Sequence, residues 1–396
     1  MMKFIENNEK YGIKYDLNKI ASEYKKLKVP IEFDLIDFKR FQDSKYIIDL
    51  SQRTIGKTTD YLILGMVFNK IYGTQICYIR EKHDMVKASL AEKLTETLVK
   101  YKDGYYIKQL TNGKYNSVFY KWQKLYYCLV SETGERVEVA SEPFLIFMSI
   151  DLHEQYKSTI NNPLLDFIIF DEFISRYYTQ DSCFMFMDLL STVIRKRKSP
   201  YIIMLANNIN INSPWFEELT IGKQVRKLNF GETIEINSEL GTKFSIRMIE
   251  EKNLKERKEH NKLFFGINNP KLSSITGDNN WSVRQVQHIY KNMKYNKLLQ
   301  PIFIFISANY YLRMDFAEME NDIVLIVTKS KKILEDDIVF TLKDYCEKNE
   351  YFGLCNDRIE NKVKQLLKQN KVYYATNEIG EDFLNYCYRV FNRKYL

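Results

Sequence analysis

Two groups of residues in this chain have the types and spacing to handle a nucleoside triphosphate. The first is Ser51-Gln52-Arg53-Thr54-Ile55-Gly56-Lys57-Thr58-Thr59, which follows the apolar run Tyr46–Leu50 and precedes an apolar helical pattern. Strand, small-residue loop and helix in that order form a phosphate-binding loop, whose backbone N–H groups surround the phosphates. Lys57 would neutralise the β- and γ-phosphates, and the Thr58 hydroxyl would ligate Mg²⁺. The loop departs from the full pattern at Ser51 and Thr54, where relatives carry Gly. A side chain disfavours backbone with φ > 0 by about 1–2 kcal/mol, so loop geometry and nucleotide affinity are where this departure acts. The second group is Asp171-Glu172, closing the run Phe167–Phe170. Four apolar residues in a row read as a buried strand of a parallel sheet, and acids at its C-terminal end lie where ligands bind in open α/β sheets. Asp171 would serve the metal through a water, and Glu172 would act as general base.

The elements that must carry these groups alternate. Strands are expected at Tyr46–Leu50, Gln75–Ile79, Phe144–Ile150 and Tyr201–Leu205, with helices at about Thr58–Tyr72, Met85–Tyr101 and Phe184–Ile194. The pattern predicts an α/β P-loop NTPase core with a parallel sheet, of the ASCE or terminase-like type. Within 104–150, Tyr105–Ile107, Ser117–Tyr120, Leu125–Val130 and Val137–Val139 read as β-hairpins, with Asn112-Gly113 a strong turn signal. The polar lead-in 1–44 has a helical pattern around Leu17–Leu27 and could lie against the adenine side of the site, though nothing in its residues compels that. The ATPase domain is assigned to 1–245, a charged linker to 246–299, and a smaller α+β domain to 300–396. That last domain should hold antiparallel strands at Ile302–Ala308, Tyr310–Phe316 and Asp322–Lys329, then amphipathic helices near Glu335–Glu350 and Ile359–Gln369.

Further residues have two readings each. Asn207 and Asn208, at the end of a strand beside the Asp171 strand, would sense the γ-phosphate or serve only as turn residues. Arg195 and Arg197 end the helix after the acidic pair. A guanidinium there could stabilise a transferring γ-phosphoryl group of a neighbouring subunit, an effect of roughly 10³–10⁵ in rate, or complement the helix dipole. Arg80 and Lys82 could touch the site, a phosphate backbone, or only solvent. Asp315 and Asp322 match the acid spacing of a metal nuclease only loosely.

Composition narrows the class. At 396 residues with 45% hydrophobic content the chain can bury two ordinary cores. Its net charge of +8 is compatible with a polyanionic partner. The 6 cysteines form no Cys-x-x-Cys pair and there are only 4 histidines, so zinc spacing is absent and reduced thiols of a cytosolic protein are expected. The apolar runs near Tyr61–Phe68 and Pro301–Ser307 are too short to cross a membrane, and no signal peptide is read at the start.

The ordered motifs together resemble one family. Phe167-Ile-Ile-Phe-Asp-Glu-Phe-Ile174, Leu190-Ser-Thr-Val-Ile-Arg-Lys-Arg197, Leu205-Ala-Asn-Asn and Asn212-Ser-Pro-Trp-Phe216 are similar to the DNA-encapsidation ATPases of small podovirus-type phages, the phi-twenty-nine type. Met148-Ser149, Gln155-Tyr-Lys157-Ser158, and the Gly56-Lys57-Thr58 loop with Arg53 fit the same family. The likeness spans about 45–216 and is only architectural beyond. It implies an ATP- and Mg²⁺-dependent motor, similar to large terminases, that drives double-stranded DNA through a portal into a preformed capsid. It further implies a homo-oligomeric ring, taken as a pentamer, a packaging RNA as a further partner, and work in the host cytoplasm, docked on the procapsid. Carried over by residue, Lys57 and Thr58 bind phosphate and metal, Asp171 serves the metal, Glu172 is the base, and Arg195 or Arg197 is the finger acting in trans. The C-terminal domain is implied to be a vestigial RNase-H-like nuclease without activity. Rival readings are a P-loop helicase or DNA-mobilisation ATPase, and a nucleotide-gated assembly factor that binds ATP without turnover.

Overall fold

The computed structural model describes residues 13–30, 34–51, 56–159, 162–174, 182–207, 213–238, 240–250, 286–290, 292–307, 310–342, 346, 348–354 and 357–391. The chain divides into two compact units, Met1–Trp281 and Ser282–Leu396. Residues 251–285, most of the expected linker, lie outside the described residues, as do Gln52, Arg53, Thr54 and Ile55 of the phosphate loop.

The first unit is built on strands β1 (Tyr46–Ser51), β2 (Gln75–Arg80), β3 (Ser117–Lys121), β4 (Lys124–Val130), β5 (Arg136–Val139), β6 (Leu145–Ser149), β7 (Leu165–Asp171), β8 (Tyr201–Asn207), β9 (Thr233–Asn237) and β10 (Lys243–Met248). They form one sheet in the order β3-β4-β6-β2-β7-β8-β1-β10-β9, with β5 paired to β4. From β6 to β10 neighbouring strands are parallel, while the outer pairings are antiparallel. The Asp171 strand β7 is separated from the phosphate-loop strand β1 by β8, which is the ASCE arrangement expected from sequence. Every residue of β7 is buried, as a strand covered on both faces must be.

Helices α1 (Leu17–Lys26), α2 (Lys57–Tyr72), α3 (Ala88–Lys100) and α4 (Ser182–Ile194) cover the sheet. The period of 2 along each strand divides the core. Ile47, Tyr78, Phe167, Ile169, Ile203 and Leu205 pack with α2 and the lead-in. Ile48, Cys77, Ile79, Ile168, Phe170 and Met204 pack with α4 and Trp215 on the other face. The lead-in is therefore part of this core: Ile20 and Tyr24 are buried, and the Leu35 N–H donates to Asp60 of α2 at 2.7 Å. Burial raises the Asp60 pKa to about 7.

Helix α2 lies close to the sheet at Gly65, where an added Cβ would meet Ile76 Cδ1 at 2.6 Å and Phe167 Cδ1 at 2.9 Å. One expectation fails nearby. Tyr105–Leu110 is a helix, because Tyr106, Ile107 and Leu110 place their side chains inward at helical spacing, a pattern that three residues alone do not reveal.

The second unit has strands β11 (Asn296–Lys297), β12 (Ile302–Ser307), β13 (Tyr310–Met319), β14 (Asp322–Ser330), β15 (Ile338–Thr341), β16 (Glu350–Phe352) and β17 (Val372–Tyr374), with helices α5 (Asp357–Lys368) and α6 (Asn377–Phe391). The sheet order is β16-β15-β12-β13-β14-β17. Strands β12, β13 and β14 are antiparallel, as expected, and β15 and β16 follow parallel beside β12. This is the strand order of an RNase-H-like sheet. The helix expected near Glu335–Glu350 is absent among the described residues there. Val339, Phe340 and Thr341 are buried in succession, which suits a strand covered on both faces rather than one helical stripe. Asp315 is paired with Arg313 at 2.9 Å and Lys297 at 3.3 Å. Asp322 sits at the hairpin end opposite Met319, paired with Lys371, so the two acids do not converge.

The close approach at Gly65 generates the first prediction. Gly65→Val should lower unfolding stability by about 1–3 kcal/mol through overpacking between α2 and β2. Chemical denaturation checks it, and an unchanged midpoint would contradict the packing described.

Candidate nucleotide site

Five strand ends and one helix end meet at the C-terminal edge of the parallel sheet. Because β1 and β8 are in register there, Ser51 lies opposite Asn207, and Arg80 of β2 lies opposite Ser149 of β6. Ser51, Tyr78, Arg80, Asp171 and Asn207 all occupy positions in phase with the α2-facing core residues, so the alternation of the strands turns them toward the N-terminus of α2. That N-terminus begins at Gly56, which has φ 81°. This is the left-handed region that only glycine enters at no cost, and it leaves the first N–H groups of α2 available to an anion.

Lys57 is buried, donates to the Ser51 hydroxyl, and lies 3.4 Å from Asn207 Oδ1. Burial lowers its pKa to about 8 against the opposing pull of Asp171, Asp49 and Glu172. The Thr58 hydroxyl donates to Asp171 Oδ2 at 2.9 Å, and the Tyr78 hydroxyl donates to the same oxygen at 2.6 Å. Burial and the neighbouring Asp171 carboxylate hold the Tyr78 pKa well above its ordinary value, so Tyr78 is a fixed donor. A hydroxyl and a carboxylate meeting at the head of α2 are the hard oxygen set that Mg²⁺ prefers, and Thr58 and Asp171 fit that ion.

Glu172 leaves the strand with φ 54°, an uncommon conformation for a residue with a side chain. Its carboxylate is paired with Arg80 NH2, while Arg80 NH1 lies 3.8 Å from Asp171 Oδ2. Of the readings open for Arg80, the structure selects the site. With its carboxylate engaged by the Arg80 guanidinium, Glu172 stands in a restrained arrangement. Phe173, next in the chain, is held by aromatic packing, with Phe170 and Phe173 at 5.4 and 5.8 Å from the Trp215 ring.

Beneath the phosphate loop, Asp49 of β1 is fully buried and accepts from Arg40, from Arg247 at 2.6 Å and from the Tyr61 hydroxyl at 2.8 Å. Burial alone would raise its pKa, but Arg247 and Arg40 prevail and hold it well below the usual carboxylate range. No sequence signal marked this cluster, whose members come from the lead-in, β1, α2 and β10.

The helix-end arginines are not brought to the site. Arg197 is buried and paired with Asp166, and it donates to the Pro163 carbonyl at 2.7 Å and the Leu165 carbonyl at 3.1 Å. Asp166 is near the start of β7, about 17 Å along the strand from Asp171. Arg197 is therefore corrected from a finger to an internal anchor: α4 runs back along the sheet and delivers its C-terminus to the opposite edge. Arg195 is exposed at the same helix end. Asn208 lies outside the described residues.

Solved structures show the same architecture. The chain is similar to the Phi-28 gp11 DNA packaging motor, with a TM-score of 0.56 and 14% identity over 92% of this chain and 100% of that chain. The bacteriophage Phi-29 viral genome packaging motor assembly gives a TM-score of 0.53 and 15% identity, over 89% and 98%. The chain has the fold of a phage DNA-packaging motor. No family model matches the sequence, and no curated protein matches it, so the likeness resides in the packaging-motor fold.

Two outcomes follow from the site. Lys57 is charged below about pH 8 and loses its proton as pH rises through that value, whereas bound phosphates favour the charged form. ATP affinity should thus hold from pH 7 to 8 and fall above 8, with uptake of a proton on binding; calorimetry in buffers of different ionisation enthalpy reads both. Arg197→Ala should destabilise the unit by about 3–5 kcal/mol, because Asp166 is left buried and unpaired. A stable, folded Arg197→Ala protein with lost hydrolysis would instead restore the finger reading.

Proposed function

We propose that this chain is the ATP-hydrolysing subunit of a motor that moves viral double-stranded DNA through a portal into a preformed capsid. The observation that supports it most is the convergence of Lys57, Thr58, Asp171 and the Glu172–Arg80 pair, within a fold shared with two packaging motors over about nine-tenths of the chain. ATP phosphates would lie at the N-terminus of α2, with the phosphate loop 51–59 around them and the Lys57 ammonium on the β- and γ-phosphates. Thr58 and Asp171 would hold Mg²⁺, which when bound offsets charge on the phosphates. Glu172, released from Arg80, would take a proton from the attacking water as that water adds to the γ-phosphorus, the bond to the β–γ bridging oxygen breaks, and ADP leaves with that oxygen. Asn207, already within reach of Lys57, would orient that water or the γ-phosphate.

Arg195, rather than Arg197, is then the candidate to act across a ring interface, because it is exposed while Arg197 is engaged by Asp166. The ring is proposed as a homo-oligomer, a pentamer by resemblance, with portal and a packaging RNA as partners in the cytoplasm of the infected host. Among the described residues no helix is long and apolar enough to cross a membrane. The second unit is proposed to lack nuclease activity, supported by the engagement of Asp315 with Arg313 and Lys297.

The test is steady-state phosphate release with and without duplex DNA. Glu172→Gln should bind ATP normally while hydrolysis falls at least on the order of 10²-fold; a wild-type rate would overturn the base assignment. Arg80→Ala should lower the ratio of DNA-stimulated to unstimulated hydrolysis, since the restraint on Glu172 is gone. Absence of any stimulation in the wild type, or strand displacement on a forked duplex, would sink the translocation reading.

A further inference from the structure

Among the described residues, the tip of the β3–β4 hairpin carries the largest highly exposed aromatic side chain. Trp122 and Gln123 form a two-residue turn in which both have left-handed backbone, φ 48° and 59°. Such turns favour Asn-Gly, so local stability is sacrificed to hold an indole at this point. Trp122 is 81% exposed, and Lys121 Nζ stands 4.3 Å from its ring centroid. Lys124 follows on the other side of the turn.

Pairing places this tip at the phosphate edge of the sheet. Strand β4 runs antiparallel to β6, with Lys124 opposite Ile146, and the Phe147 N–H donates to the Gln123 carbonyl at 2.8 Å. The tip is also tied to the loop that leaves β2 after Arg80. Gln123 Nε2 lies 3.3 Å from His83 Nδ1, and the Tyr120 hydroxyl donates to the Val86 carbonyl at 3.2 Å. In that loop Lys87 is neutralised by Asp84, and Asp151 accepts the His83 N–H. Lys121 and Lys124 form no ion pair with a carboxylate among the described residues, while Lys82 lies within electrostatic reach of Asp84. Two lysines free of ion pairs thus flank one exposed indole.

We propose that this tip, Lys121-Trp122-Gln123-Lys124 with Lys82 beside it, is a contact element for duplex DNA. Lys121, Lys124 and Lys82 meet phosphates, and Trp122 enters a groove against the sugars. A two-stranded β-ribbon fits a DNA groove. Lysine contacts to phosphate carry no base information, as movement along any sequence requires. The inference rests on the DNA-translocation reading and adds where on the subunit the duplex is gripped.

The experiment uses the full chain and a fluorescently labelled duplex of mixed sequence, followed by anisotropy over a salt series. Trp122→Ala should weaken duplex binding about five- to tenfold. The Lys121→Ser, Lys124→Ser double variant should flatten the plot of log affinity against log salt by about two, one unit per lost phosphate contact. ATP binding and DNA-independent hydrolysis should match the wild type for both variants. Unchanged affinity and salt slope, with wild type binding duplex, would overturn the tip assignment and leave the motor reading standing. Lost self-association in sedimentation, with duplex affinity intact, would mark the tip as a contact between copies and also overturn it. A wild type that neither binds duplex nor is stimulated by it would remove the motor reading and the tip assignment together.

Discussion

One carboxylate oxygen organises the site. Asp171 Oδ2 accepts from the Thr58 hydroxyl and the Tyr78 hydroxyl and lies 3.8 Å from Arg80. These groups belong to α2, β2 and β7, so their meeting fixes the height of the helix over the sheet and the register of two strands. The oxygen can accept them because β7 reaches the edge of the sheet at that residue; one position earlier, Phe170 faces the other core. A shift by one residue would turn the acid away from α2 and present a phenyl ring in its place.

The buried ion pairs serve the same geometry from below. Asp49 joins Arg40 of the lead-in to Arg247 of β10 under the phosphate loop, and Asp166 joins Arg197 to the far end of β7. Removing one partner from such a pair leaves an uncompensated buried charge, so each pair resists changes in its surroundings. The sheet is thereby clamped toward both ends of its central strands, and one clamp lies just below the phosphate edge. The restrained element is Glu172, which has left-handed backbone and a carboxylate engaged by Arg80. Function on this reading requires that one side chain to move within a frame that does not.

The core and the motifs were legible in the chain because they are local. Short apolar runs ending in a polar residue marked β1, β7 and β8, and the loop Gly56-Lys57-Thr58 announced the head of α2. The three antiparallel strands beginning at Ile302 were legible from alternation. The helix at Tyr105–Leu110 was misread since its signal extends to Leu110, and Ile338–Thr341 was misread since a run covered on both faces loses its periodicity.

The amino-acid sequence by itself determined that a phosphate loop and an acidic pair stand at strand ends, because backbone geometry links each motif to its own strand. Only the tertiary structure decided what the arginines do. Arg80 and Arg197 both follow apolar elements and are equivalent as residue types, yet one reaches Glu172 while the other is buried with Asp166 at the opposite edge. The cause is chain direction: β2 ends at the phosphate edge, and α4, which starts there, must run back across the sheet before the next parallel strand can begin. Pairing between Asp49, Arg40 and Arg247 was equally invisible, since residues distant in the chain meet only after strand order is set. The side a helix end faces is a property of topology, and no local pattern encodes it.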